Sequence, residues 1–188
     1  MSIIVADLSA QIAGRISAER ERKGWSLGEL AERSGVSKAM LSKIEREEVS
    51  PTATLLTRIA TAFALTLAGL LEHPGQAPAR LLHRRAQPRW QDPATGYTRR
   101  QIFQNAQNPL ELVEVDLPPG ARVALPAASY VFIRQVVWLL SGRLEIREGK
   151  SISTLESGDR LEFGPPADSE FHNPGEKPCR YLVALVRQ

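Results

Sequence analysis

The chain has 188 residues, 43% of them hydrophobic and 24% charged, with a formal net charge of +3. That length is too great for one small helical unit and fits two small domains. A single cysteine, Cys179, excludes an intrachain disulfide framework, suits a reducing cytoplasm and reads as a buried apolar filler. The longest uncharged run, IATAFALTLAGLL, falls short of a membrane span, and no targeting signal is visible, so a soluble, cytoplasmic protein is expected. The charge is uneven: residues 1–73 hold nine Lys plus Arg and nine Asp plus Glu, residues 74–100 hold six Arg against one Asp, and residues 101–188 hold nine against eleven.

In chain order, Ile12 and Ile16 stand at helical spacing and predict a first helix. WSLGELAERSGVSKAMLSKIE follows, two short amphipathic helices around one glycine. Ser26 and Glu29 form a capping box, and Trp25 with Leu30 has the spacing of a hydrophobic staple. Gly35 supplies a left-handed helix stop, and Ser37 caps the second helix. Leu41 and Ile44 face inward, which leaves Lys38, Ala39, Met40, Ser42 and Lys43 outward or at the rim. Such a short, polar, cationic set is what a groove-reading helix requires. SPTATLLTRIATAFALTLAGLL then adds apolar positions Leu55, Leu56, Ile59, Ala62 and Phe63, giving a five-helix unit.

From about Leu8 to Glu72 this pattern resembles the lambdoid-phage-repressor or XRE family of DNA-binding domains, on ELAERSGVSKAMLSKIE and SPTATLL together. The resemblance implies a structural ion pair between Arg20 and Glu45. It also implies DNA contacts from Ser26, Leu27, Ser37, Lys38, Ala39, Met40, Ser42, Lys43 and Arg46, with Lys38, Ala39, Met40 and Lys43 toward base edges. Two positions depart from the family: Leu27 stands where a phosphate-binding glutamine is common, and Glu47, followed by Glu48, replaces a glycine after the recognition helix.

The basic excess lies in the segment 74–100, read as a linker leading into the first barrel strands. Its Arg80, Arg84 and Arg85 either supplement phosphate contacts or form a solvated face. From Gln101 the texture turns to short β-rich runs, RRQIF, LELVEVDL, QVVWLLSGRLEIRE, SISTLE, RLEF and CRYLVALVR, separated by turn residues. Residues 101–188 are therefore an all-β barrel or sandwich.

The order PPGARV, VVWLLSGRLEI, LESGDRLEFGPP, HNPGEKPCRYLVAL resembles the cupin family, a double-stranded β-helix of jelly-roll type. Enzymatic cupins hold a metal through two histidines and a glutamate in the first motif and a histidine in the second. Here those positions fall near Ser129 and Val131, on Gln135 and on Ser169. A metal-free, cofactor-free domain is expected, with His172 structural. Ser129, Tyr130, Arg134, Gln135 and Ser169 are the candidate ligand-binding groups, although alternation turns Arg134 out if Gln135 points in. Trp90, Tyr97 and Trp138 fit the core or a dimer seam.

The combination is similar to one-component regulators with an XRE-type head and a cupin sensor. That likeness implies a homodimer on a palindromic double-stranded operator, responding to a small-molecule effector and carrying out no catalysis. The alternatives are a protein-interaction scaffold whose helix-turn-helix no longer binds DNA, or a metal-dependent cupin enzyme of the hydroxypropylphosphonate epoxidase type.

Overall fold

Helical spacing of apolar residues gives way to strand spacing near Arg89, and the chain divides into two units, residues 1–76 and 77–188. The computed structural model describes residues 3–71, 80–105 and 107–188, with side chains described from residue 10. The start of the expected linker, residues 74–79, lies outside the described residues.

Among the described residues the first unit has five helices: α1 (Ile3–Arg22), α2 (Leu27–Ser34), α3 (Lys38–Glu45), α4 (Ala53–Ala62) and α5 (Leu67–Leu70). Each start after α1 is chemically marked. Ser26, Ser37, Thr52 and Thr66 are N-caps whose hydroxyls accept backbone N–H groups that would otherwise lack a partner. The core is Ile16, Leu30, Leu41, Ile44, Leu56 and Ile59, all at most 1% exposed. Each contributes about 1.5–3 kcal/mol by burial. The Trp25 ring stacks on Phe63 at 5.7 Å and carries the Arg33 guanidinium 4.4 Å from its centroid.

The second unit has ten strands: β1 (Arg89–Gln91), β2 (Thr98–Asn105), β3 (Asn108–Leu117), β4 (Arg122–Leu125), β5 (Ile133–Ser141), β6 (Arg143–Glu148), β7 (Ser151–Glu156), β8 (Arg160–Glu162), β9 (Ser169–His172) and β10 (Cys179–Arg187). They form two antiparallel sheets, ordered β1-β2-β3-β10-β5-β8 and β4-β9-β6-β7. From β3 onward successive strands alternate between the sheets except at the β6–β7 hairpin, which is the winding of a double-stranded β-helix. The sheet begins at Arg89, ahead of the Gln101 boundary expected from sequence. Strand β1 has three residues and β4 and β9 have four each, and none of them is among the runs that pattern picks out.

Alternation sets which residues line the interior. On the larger sheet Val113, Val183 and Val137 lie in one row and Val115, Tyr181 and Leu139 in the next, all buried. On the smaller sheet Val123, Phe171 and Ile146 lie opposite one another. Asn173, fully buried, ties the end of β9 to its surroundings: its amide donates to the carbonyls of Leu117 and Lys177, each at 2.9 Å, and its oxygen accepts from Gly175 N at 2.9 Å.

Candidate functional site

The candidate nucleic-acid face is built by α2 and α3. The capping box at the start of α2 is complete, with Ser26 N donating to Glu29 Oε2 at 2.7 Å and Glu29 N to Ser26 Oγ at 3.2 Å. These bonds hold the Glu29 carboxyl below its ordinary range. Gly35 closes α2 with φ 66°, and Ser37 restarts the chain one residue beyond Val36, its hydroxyl accepting from Met40 N at 3.3 Å. Arg20 of α1 grips Glu45 at the end of α3 through two bonds, 2.8 and 2.9 Å, and also donates to the Trp25 carbonyl at 3.0 Å. Pairing with Glu45 raises the Arg20 pKa further, and the fork fixes α3 against α1.

With Leu41 and Ile44 buried, α3 presents Lys38, Ala39 and Lys43 to solvent, with Met40 and Ser42 half-buried at the rim. Ser26, Ser37 and Arg46 are exposed and Leu27 is half-buried. Arg46 is held by Glu48 at 2.9 Å, so Lys38 and Lys43 are the cations on α3 itself. Among the linker arginines, Arg80 and Arg85 are exposed, whereas Arg84 lies 3.4 Å from Glu114, a buried carboxylate that also pairs with Arg100.

Between the sheets, an aromatic file runs from Tyr130 to Phe163, Phe171 and Tyr181 with centroid spacings of 5.5, 5.9 and 5.7 Å. Gln135 faces in from β5 and Ser169 from β9, both buried. Ser169 Oγ donates to the Ala167 carbonyl at 3.1 Å. Ser129 Oγ, Tyr130 OH and Gln135 Nε2 are buried without a hydrogen-bond partner. Burial pushes the Tyr130 hydroxyl pKa upward, with Ser169 drawing it back, so the phenol stays protonated. A cleft of about 580 Å³ opens where β5 begins, lined by Tyr130, Arg134, Gln135, Glu162, Phe163 and Val186 among others.

Residues 16–70 match the helix-turn-helix family model HTH_3. The HTH-type transcriptional regulator SutR of Escherichia coli (strain K12) is 28% identical over 162 residues, 86% of each chain. The HTH-type transcriptional regulator SinR of Bacillus subtilis (strain 168) is 39% identical over 62 residues, 32% of this chain and 56% of SinR. A crystal structure of an HTH_3 family transcriptional regulator from Vibrio cholerae shares the fold, with a TM-score of 0.81 at 22% identity over 97% of this chain and 98% of that one. Residues 16–70 are a helix-turn-helix domain of this family, joined to a double-wound β domain, and the chain is similar over most of its length to HTH-type transcriptional regulators.

In the β domain, Tyr130, Arg134 and Gln135 share the cleft, while Ser129 and Ser169 are not in its lining. Arg134 is exposed, turned to the face of β5 opposite Gln135. His172 faces away from the interior and meets Glu145 across the strands, Nδ1 to Oε2 2.8 Å. The positions that the cupin resemblance assigns to metal ligands hold Ser129, Val131, Gln135 and Ser169, and among the described residues no three His, Cys, Asp or Glu side chains gather. The residues do not fit a metal. Trp90 and Tyr97 are buried, edge to face at 6.3 Å, and Trp138 is 49% exposed, its Nε1 donating to the Gly158 carbonyl at 3.2 Å. Sequence reasoning missed two inward cations, Arg187, 3.6 Å from the Glu111 carboxylate, and Arg99, whose guanidinium donates to Tyr97 OH at 3.2 Å.

Proposed function

We propose that the regulator binds a specific operator in double-stranded DNA as a homodimer, and that its cupin domain, without metal, senses a small molecule. The observation that carries the DNA reading is the exposed face of α3, polar and cationic, capped by Ser37 and braced by the Arg20–Glu45 fork. Ser37, Ser42 and Arg46 then lie toward phosphates, with Ser26 and Leu27 at the neighbouring helix start. Lys38, Ala39, Met40 and Lys43 lie toward base edges. One such helix reads too few base pairs for genomic specificity, which favours two heads on a palindrome about one helical turn apart.

The ligand reading rests on unpartnered donors in an aromatic setting. Ser129, Tyr130 and Gln135, with Ser169 beside them, supply neutral hydrogen-bonding groups, and Arg134 borders the cleft from outside. A ligand shifts DNA affinity only as far as it binds the DNA-competent arrangement better or worse than the other. A cytoplasmic location follows from this role. Among the described residues no helix is long and apolar enough to cross a membrane.

The deciding experiment is an anisotropy titration of the full chain against DNA from upstream of its own gene and of neighbouring genes, at two salt concentrations. Specific, salt-sensitive binding is expected. Lys43→Ala should weaken it about fivefold to tenfold at unchanged thermal stability, because Lys43 is exposed. Equal affinity of variant and parent refutes the assigned face. The scaffold reading draws on Leu27 and on Glu47 and Glu48 beside α3, and absence of any specific binding would favour it.

A further inference from the structure

Two arginines project from the inner face of the larger sheet, and they are held differently. Arg187 donates to the carbonyls of Asn105 and Asn108 at 2.9 and 2.7 Å and lies 3.6 Å from the Glu111 carboxylate. Arg99 stands in the cross-strand row of Trp90 and Val115, both buried, so its side chain enters the space between the sheets. Arg100, next in sequence, points to the other face and pairs with Glu114. The half-buried Arg99 makes its bond to Tyr97 OH, and among the described residues no carboxylate lies within ion-pair distance of it. A guanidinium drawn out of water is normally paired.

We infer that Arg99 is the counter-charge for an anionic ligand held between the sheets, a small organic molecule with an oxyanion group on an apolar, aromatic-sized body. This inference rests on the reading of the cupin domain as a ligand-binding unit. The surroundings match that chemistry. The hydroxyls of Tyr97, Tyr130 and Tyr181 are all kept protonated by burial, and the Arg99 charge acts on each in the opposing direction, which puts all three phenols within its electrostatic reach. They are neutral donors around a cation. Tyr130 OH, within that reach, is a buried donor with no partner, and a carboxylate or phosphonate offers several acceptor sites. Phe163 and Phe171, stacked at 5.9 Å, provide the apolar wall.

The carboxylates that act on Tyr97 and Tyr130, Asp92 and Glu148, are otherwise engaged. Asp92 accepts from Ala94 N at 3.2 Å and from the Thr95 hydroxyl at 2.7 Å, and Glu148 accepts from Gly164 N at 3.1 Å. Neither neutralises Arg99.

The test uses isothermal calorimetry of the full chain with phenylacetate, phenylphosphonate and the neutral phenylacetamide. Saturable binding of at least one anion is expected, with the amide weaker by tenfold or more, on the order of a charged against a neutral hydrogen-bond partner. The stronger of the two anions identifies the oxyanion. Arg99→Gln should lose about tenfold, Arg99→Lys should retain part of the binding, and Arg147→Gln, on the outside of the smaller sheet, should match the parent. If Arg99→Gln does not fold, Arg99→Lys against the parent carries the comparison, since a site that uses only charge count would not distinguish them. The inference is overturned if the amide binds as well as the anions, if the Arg99 variants bind undiminished, or if neither anion binds. Operator affinity measured with each compound separates this from the sensor reading. Anion binding through Arg99 that leaves operator affinity unmoved sinks the sensor and keeps the anion site, whereas operator release by phenylacetamide alone does the reverse.

Discussion

Glu47 closes α3 with φ 62°, a left-handed backbone that costs an L side chain roughly 1 kcal/mol and glycine almost nothing. The bonds around it, Glu47 N to the Ile44 carbonyl at 3.0 Å and Glu48 N to the Lys43 carbonyl at 2.9 Å, form a Schellman stop with glutamate at the position glycine usually takes. Glu47→Gly should therefore stabilise the head by about 1 kcal/mol in urea unfolding, and any loss of stability would contradict the geometry. A second residue-scale expectation concerns Cys179. It is fully buried, and desolvation pushes its thiol up to about 11, so almost no thiolate exists near neutral pH. Dithionitrobenzoate should leave the native protein unlabelled and react promptly once urea exposes the thiol. Rapid labelling without denaturant would mean that the end of β10 opens readily.

At the scale of elements, the turn that carries the chain from β5 in one sheet to β6 in the other shows how closely a turn residue can approach a neighbouring strand. Gly142 has φ 88°, and a Cβ there would sit 2.7 Å from Cys179 Cβ and 2.8 Å from its Cα. Gly158 has φ 98° with nothing within 4 Å. Gly142→Ala should then cost roughly 2–4 kcal/mol, from strain plus overpacking, and Gly158→Ala only about 1 kcal/mol. Equal losses by thermal unfolding would remove the close approach from the explanation. Such turns were readable beforehand, because SGR and the capping pair Ser26 and Glu29 act within a few residues. The five helices were readable for the same reason, whereas strand spacing alone left a barrel or a sandwich and the double-wound β fold came only with the cupin resemblance. Strands β1, β4 and β9 were not readable, since three or four residues cannot establish alternation. Nor was the inward turn of Arg99 rather than Arg100. That choice depends on how β2 registers against β3, and the shifts near Gln101 and Phe103 break the strand's periodicity. Gln135 and Ser169 had been placed by motif alone, and both face the interior.

The whole molecule combines a head of zero formal charge, a basic connector and a slightly acidic cupin domain. Bulk charge therefore contributes little to DNA affinity, and the salt dependence of binding reports which cations reach phosphate. Each head offers Lys38 and Lys43 on α3 and, near them, an Arg46 already engaged by Glu48. If two heads bind one operator, as proposed, they neutralise about four to six phosphates. At roughly 0.9 per phosphate, the slope of log affinity against log salt should fall between about −4 and −5. Arg84 adds little, being held near Glu114, but Arg80 and Arg85 are exposed and decide the remaining question about the connector. If they contact DNA in both protomers, about four more phosphates are neutralised and the slope steepens to roughly −8. Arg80→Gln with Arg85→Gln should then return it to the shallow value. A shallow slope in the parent, unchanged by that double substitution, assigns the connector arginines to a solvated face and leaves the operator to the two heads.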